Sequence, residues 1–433
     1  MRKLNIAVIG IGYVGITTVA SMVELGHKVI GVDIDASKIE QCNKGAIPIY
    51  EPDVEPLIQK YLIEGSLSFT TNMKEAAENN DIIFISVGTP SLPDGRPNVR
   101  YVEEVATEIG KYMMEYSVIV NKSTVPIGTA DHVGSIITEQ LKLRSMNISF
   151  DVVSNPEFLR EGRALRDARK PDRIILGCSS SIALDMMLKL YEKVDAPKLI
   201  TSPRSAEMIK YASNGFLATK ISFINEIGRL CNELNLDVVE VAKGMGLDHR
   251  IGPKFLHAGI GYGGSCFPKD VSALVIMGRD VNVQMSIVES VQKVNQTQTD
   301  WFLERIKKRM NGLKGKRIAL LGLTFKPDTD DIREAPSLRL IRSLIYEGVV
   351  ICGFDPVAND KIKNIYPNVL LAEDAYQATT KADAVIICTE WQEIISLDWH
   401  VIKLSMKGDF IFDGRNILDR AMLESEGFQY MGV

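Results

Sequence analysis

Leu4-Asn-Ile-Ala-Val-Ile-Gly10-Ile-Gly-Tyr-Val-Gly15 decides the fold. The apolar run from Leu4 to Ile9 stops at glycines, and a helical pattern takes over through Val19, Met22 and Val23 to Leu25, where Gly26 ends it. Lys28 to Val32 is a second β-like run, closed by Asp33. Strand, glycine turn, helix, strand is the opening of a βαβ unit. Gly10, Gly12 and Gly15 form GxGxxG at the turn. They permit the tight bend and let the backbone approach a pyrophosphate, while the helix N-terminus, with Tyr13 and Val14 in its first turn, faces the negative charge. A carboxylate at Asp33 accepts hydrogen bonds from adenine-ribose hydroxyls and repels a 2′-phosphate, which predicts NAD rather than NADP. Lys38 lies close enough to weaken that exclusion.

Outward from this unit, Asp81 to Val87, Ser117 to Asn121, Asp151 to Ser154 and Arg173 to Gly177 read as further strands, with helices such as Val102 to Tyr112 and Ala130 to Leu143 between them. Val87-Gly-Thr-Pro90 leaves the third strand on the cofactor edge, so Thr89 is either a cofactor contact or part of a plain turn. From about Ser205 to Lys308 strands give way to helix formers, read as long helices over Ala206 to Leu234 and Asp270 to Lys308 around a glycine-rich loop. Alternation then returns with Arg317 to Gly322, Val349 to Phe354, Ala384 to Cys388 and Phe410 to Phe412, but Gly322-Leu-Thr-Phe-Lys-Pro lacks the GxGxxG spacing. The fold class is α/β: two Rossmann-like doubly wound domains, 1–204 and 309–433, joined by a central long-helix connector, 205–308.

Bulk properties narrow the function. The 433 residues exceed one ordinary core, 45% are apolar, 24% are charged, and the net charge is −5. That balance gives no general attraction to nucleic acid or to an anionic membrane. Six scattered cysteines without CxxC pairs fit a reducing compartment, hence a cytoplasmic protein, and no metal is expected. Arg2 and Lys3 before an apolar stretch imitate a leader, but glycines interrupt the stretch and no small-residue cleavage site follows. No apolar run is long enough to span a membrane.

The chemistry concentrates in Gly259-Ile-Gly-Tyr-Gly-Gly-Ser-Cys-Phe-Pro-Lys-Asp270. Cys266 follows four crowded glycines and precedes a helix start. Helix N-termini and a neighbouring cation, here Lys269, favour a thiolate, and Asp270 is placed to activate water. In Ser154-Asn-Pro-Glu-Phe-Leu-Arg-Glu161, Asn155 as N-cap and Pro156 at the first helical position predict a helix with Glu157 and Glu161 on one face. Spacing alone favours the blander reading, Glu157 against a helix dipole and Glu161 paired with an Arg such as Arg160 or Arg163. Lys210 and Asn214 share a helix face, either as an oxyanion-holding pair or as solvated surface.

Taken together, these residues resemble the UDP-glucose/GDP-mannose dehydrogenase family along essentially the whole chain. The resemblance rests on the amino-terminal GxGxxG, Lys122-Ser-Thr-Val-Pro126, Asn155-Pro-Glu-Phe-Leu-Arg-Glu-Gly162, Lys210 with Asn214, Gly261-Tyr-Gly-Gly-Ser-Cys-Phe-Pro-Lys-Asp270 and Gly322-Leu-Thr-Phe-Lys-Pro-Asp-Thr-Asp-Asp-Ile-Arg-Glu334. It implies two NAD⁺-dependent oxidations of a sugar C6 hydroxyl without aldehyde release, through a thiohemiacetal and then a thioester on Cys266. It implies that Lys210, Asn214 and Thr124 stabilise oxyanions or position water, and that Asp270 and Glu161 assist hydrolysis. Thr124, Glu161, Lys269 and Arg333 are implied at the cofactor. Glu157, Phe158, Leu159, Phe255, Gly263, Phe267, Lys326 and Arg415 are implied at the sugar nucleotide, with Arg250 crossing a homodimer interface to the neighbouring subunit's site. Pro171-Asp-Arg-Ile-Ile and Asp413-Gly-Arg-Asn416 look like the UDP-glucose branch, which yields UDP-glucuronate. Ser265 stands where the UDP-N-acetylmannosamine branch usually has His; the same chemistry on a UDP-N-acetylhexosamine or GDP-mannose is the alternative. A single-step β-hydroxyacid dehydrogenase would lack the second α/β domain, and an NAD-sensing relic would have lost Cys266, Lys210 or Asp270.

Overall fold

A computed structural model of the chain describes residues 3–433. Arg2, part of the leader-like start, lies outside them. The chain divides into two compact units, the first ending at Ser213 and the second running from Asn214 to Val433.

The first unit holds one sheet of eight strands: β1 (Asn5–Ile9), β2 (Lys28–Val32), β3 (Leu67–Thr70), β4 (Ile82–Ile85), β5 (Ser117–Asn121), β6 (Phe150–Ser154), β7 (Ile174–Gly177) and β8 (Lys198–Thr201). Their order is β3-β2-β1-β4-β5-β6-β7-β8. Every neighbouring pair is parallel except β6 with β7. Alternation distributes each central strand between two apolar layers. Ile6 and Val8 of β1 and Val118 and Val120 of β5 join Val19, Met22 and Met187 on one face. Ala7, Ile9 and Ile119 join Val102, Ile109, Val133 and Ile137 on the other. Burial on both faces makes these strands continuous apolar runs. The strand order reverses between β1 and β4, so a crevice opens at their carboxyl ends, where Gly10 and Ser86 stand.

Helix Pro203–Leu234 begins in the first unit and ends in the second. The second unit continues with helices Val238–Gly246, Phe267–Asp280 and Ser286–Arg309. Its sheet comprises β9 (Arg317–Leu321), β10 (Val350–Phe354), β11 (Leu370–Leu371), β12 (Ala384–Ile387), β13 (Phe410–Asp413) and β14 (Gln429–Gly432). The order β11-β10-β9-β12-β13-β14, all parallel, repeats that of the first six strands. Ile224, Cys231, Phe302 and Ile306 of the helices share one core with Ile318, Leu320, Ile386 and Phe412 of this sheet.

Two expectations fail. The helix expected over Asp270 to Lys308 is broken between Asp280 and Ser286. Asn282 turns left-handed at φ 58, and the Val283 amide bonds back to the Gly278 carbonyl at 2.8 Å, a C-cap that stops the first helix. Gly278 permits the fold-back, since a Cβ there would lie 2.6 Å from the Val283 carbonyl oxygen. The helix expected at Asn155-Pro156 is also absent: residues 155–160 are irregular and a helix starts only at Ala164.

Candidate active site

The turn after β1 is built as its glycines require. Gly10 has φ 93, and a Cβ on Gly15 would lie 1.7 Å from the Gly10 carbonyl oxygen. Gly12, the N-cap of helix Tyr13–Glu24, is different: its Cβ would meet nothing within 4 Å. An open backbone at a helix N-terminus is what a pyrophosphate needs, so these residues fit a dinucleotide. Asp33 accepts from the Ile11 amide at 2.8 Å and from Lys38 Nζ at 2.9 Å. Burial works against the Asp33 carboxylate, yet Lys38 and the Ile11 and Asp35 amides together hold its pKa below the ordinary value. Thr89 donates to the Thr124 carbonyl at 2.8 Å, and Ser123 to that of Val87 at 2.7 Å. The loop carrying Thr124 is thereby pinned to the segment after β4.

Glu157 and Lys210 form a buried ion pair of 2.8 Å. Neither the helix-dipole role for Glu157 nor a solvated Lys210 survives this geometry. Glu157 also accepts from the Leu159 amide at 2.5 Å, a local bond that bends the chain and competes with a helix. Asn155 does not cap. Its Oδ1 accepts from Lys122 Nζ at 3.0 Å and from the Tyr191 hydroxyl at 2.6 Å, while its Nδ2 donates to the Ile175 carbonyl at 2.8 Å. Arg160 pairs with Asp167 at 2.6 Å rather than with Glu161. Glu161, not on a shared helix face with Glu157, lies in the turn before Ala164. Phe158 carries the Arg173 guanidinium 3.7 Å above its ring, with Lys210 Nζ at 5.3 Å. A cavity of about 60 Å³ is lined by Lys122, Asn155, Glu157, Phe158, Leu159 and Tyr191 among others. Lys122, Asn155 and Tyr191 were not foreseen as a cluster: Lys122 and Asn155 stand in separate motifs of the chain, and Tyr191 stands in none.

In the second unit Cys266 is the N-cap of helix Phe267–Asp280, with Pro268 in its first turn and the thiol partly exposed. Ser265 Oγ lies 3.5 Å from its sulfur. Asp270, one turn along and fully buried, accepts from Asn214 Nδ2 at 2.6 Å and from Lys269 Nζ at 2.5 Å. Thiol, carboxylate and amide therefore sit on two helix segments that fix their spacing. The preceding glycines have an internal purpose. A Cβ on Gly263 would lie 2.3 Å from the Glu334 carbonyl oxygen, and Gly264, at φ 84, would strike the Phe325 ring. Phe255 holds a left-handed φ of 64, and its ring lies 6.2 Å from that of Phe267. Such a conformation in a bulky residue persists only where its surroundings impose it.

The remaining cations differ in setting. Arg250 is exposed and paired with Asp248 at 2.6 Å. Arg333 makes a fork with Asp331, its closest contact 2.7 Å. Lys326 Nζ lies 5.7 Å from the Phe325 ring centre. Arg415 donates to the carbonyls of Cys388, Gly261 and Phe325 at 2.7, 3.2 and 3.3 Å. The turn after β9 imitates the first one: Gly322 has φ 79 and the Leu323 amide donates to Asp355 at 2.6 Å, as Ile11 does to Asp33. Asp355, however, is 1% exposed and also accepts from Thr324 and from the Trp391 indole at 3.2 Å. No lobe is left for a ribose.

Residues 4–195 match the NAD binding domain of the UDP-glucose/GDP-mannose dehydrogenase family, 204–297 its central domain and 319–420 its UDP binding domain. The chain belongs to that family. UDP-glucose 6-dehydrogenase YwqF of Bacillus subtilis is 44% identical, over 99% of this chain and 97% of that protein. The UDP-glucose dehydrogenase structure from Pyrobaculum islandicum is 39% identical with a TM-score of 0.91, covering 96% of this chain and 95% of that one. The UDP-D-ManNAc dehydrogenase structure from Pyrococcus horikoshii is 26% identical with a TM-score of 0.87, covering 99% of both. Family membership makes the chain an NAD-dependent oxidoreductase of nucleotide sugars. Among the described residues, no helix is long and apolar enough to cross a membrane.

Proposed function

We propose that this chain oxidises UDP-glucose to UDP-glucuronate, with Cys266 as the covalent nucleophile. The observation that carries the reading is Cys266 at a helix N-cap, one turn before a buried Asp270 held by Asn214 and Lys269. NAD⁺, when bound, accepts a hydride in each of the two oxidations. Cys266 sulfur adds to the C6 aldehyde, and the tetrahedral adduct loses hydride to leave a thioester. Water then attacks the thioester carbonyl, the C–S bond breaks, the thiolate leaves and the carboxylate is released. Lys210, held by Glu157, stabilises the oxyanion at C6, with Asn214 and Thr124 orienting the hydroxyl and the water. Asp270 and Glu161 move the protons of hydrolysis.

Gly10, Gly12, Tyr13, Val14, Gly15, Asp33, Thr89, Lys269 and Arg333 serve the cofactor in residues 1–204 and beyond. Glu157, Phe158, Leu159, Phe255, Gly263, Phe267, Lys326 and Arg415 serve the sugar nucleotide, its UDP end in 309–433. The connector 205–308 serves dimerisation: Phe216, Phe223 and Leu230 recur every seventh residue of the long helix and are all exposed. Arg250 would act in the partner's site. The six free cysteines support a cytoplasmic location. UDP-glucose is favoured over an N-acetylated sugar by the higher identity of the relatives named for it. NADH counted against UDP-glucose tests the reading: two per sugar is expected, one means oxidation stops at the aldehyde, and faster turnover of GDP-mannose or a UDP-N-acetylhexosamine overturns the substrate. Cys266→Ser should abolish uronate formation, and full activity in that variant discards the mechanism.

A further inference from the structure

We infer that Glu207 is a positioning residue that clamps the Thr124 loop to the helix carrying Lys210. Glu207 lies on helix Pro203–Leu234, one turn before Lys210, and is 3% exposed. Its carboxylate accepts from the Gly128 amide at 2.6 Å, the Ala130 amide at 2.9 Å and the Ser154 hydroxyl at 3.2 Å. Gly128 is the N-cap of helix Thr129–Leu143, stands at φ 95, and supplies no side-chain cap. The amides that a helix start leaves unpaired are usually met by a local Ser, Thr, Asp or Asn. Here a carboxylate from a distant helix meets them instead.

Three parts of the proposed catalytic machinery meet at that one group. The loop from Lys122 to Gly128 contains Thr124 and is fixed upstream by Ser123 and Thr89. Glu207 fixes its downstream end. Ser154 ends β6, immediately before the segment that places Glu157 on Lys210. The helix itself carries Lys210. Burying a carboxylate is unfavourable, and that burial pushes the Glu207 carboxyl up against the pull of its three donors. Position 128, at φ 95, is left-handed backbone that favours glycine, so a local capping side chain would be strained there and the acceptor comes from another helix. Holding the acceptor on the Lys210 helix sets the separation of Thr124 and Lys210, and an error of an ångström in such a separation is felt strongly in rate.

The inference rests on Thr124 and Lys210 acting in the reaction, so wild-type NADH stoichiometry is measured first; its failure would fault that reading and not the clamp. Glu207→Gln keeps the shape but replaces one acceptor with an amide donor facing a backbone N–H. We expect kcat to fall about ten-fold while KM for UDP-glucose stays within about three-fold. In the Thr124→Ala background the same change should have little further effect, since Glu207 acts through that loop. Glu207→Asp should recover part of the rate. If Glu207→Gln does not fold, Ser154→Ala, which removes one donor, should give a smaller fall with the same non-additivity. A Glu207→Gln or Ser154→Ala enzyme that melts lower but keeps wild-type kcat overturns the inference. So does an effect that multiplies independently with Thr124→Ala.

Discussion

Removing the charge of Lys122 should make the protein's stability respond differently to alkali. Lys122 follows β5 directly and gives its ammonium to Asn155. Burial drives its pKa down from 10.5 to about 8, with the Lys210 charge adding to the fall and Glu157 opposing it. The folded value lies below the unfolded one, so between these two values the unfolded chain binds a proton that the folded chain has lost. Stability from this group therefore rises with pH across that window and is lowest below about 8, where the charge stays buried. At about 1.4 kcal/mol per unit, the full difference is about 3 kcal/mol, of which roughly 2 appears between pH 7 and pH 9.5. The cavity beside the ammonium has room for water, which would trim the gain to roughly 1–2 kcal/mol. Lys122→Met keeps the stem and deletes the titration. Urea unfolding of both proteins at the two pH values reads out the group, because titrations not coupled to Lys122 cancel in the difference. Wild type should gain on the variant as pH rises. A gap that stays constant refutes the buried-ammonium reasoning.

Three further outcomes are expected. Gly15→Ala cannot be accommodated against the Gly10 carbonyl and should lose both NAD binding and several degrees of Tm, whereas Gly12→Ala, facing open space, should melt normally and lose only NAD affinity; equal melting in the two would contradict the turn geometry. Asp33→Ser removes the acceptor at the ribose edge and leaves Lys38 uncompensated, so the NAD-to-NADP ratio of kcat/KM should fall at least about ten-fold, and an unchanged ratio would clear Asp33 of that role. Lys210→Met strands Glu157 in a buried site and should destabilise the protein by about 3–5 kcal/mol in addition to its effect on rate, measured by urea unfolding at neutral pH.

Central strands were legible in the chain because they are buried on both faces. Ile82–Ile85 and Ala384–Ile387 show no polar interruption. Strands β3, β8, β11 and β14 were not foreseen. Leu67–Thr70 buries only alternate residues, Leu370–Leu371 is two residues long, and Leu199 and Ile200 of β8 are exposed on the sheet edge. Short half-wet edges carry too few apolar positions to declare a period. In the site, Cys266 at a helix start and the first glycine turn were readable because their logic is local. The Glu157–Lys210 pair was not, since Asn155-Pro156 has the local form of a helix start and only partners distant in the chain, Lys122, Tyr191 and Lys210, commit those side chains elsewhere. Glu207 was missed for the same reason: nothing near it in the chain shows that it serves Gly128.

The saturated Asp355 gives the second unit an optical consequence. One of the chain's three tryptophans, Trp391, has its indole N–H tied to that carboxylate and to the Thr324 hydroxyl at 3.1 Å. An indole held this way emits according to the bonds its nitrogen keeps. Any nucleotide that settles on the Thr324–Lys326 turn should therefore change the intrinsic fluorescence, and the chain carries its own label-free gauge of occupancy at that end.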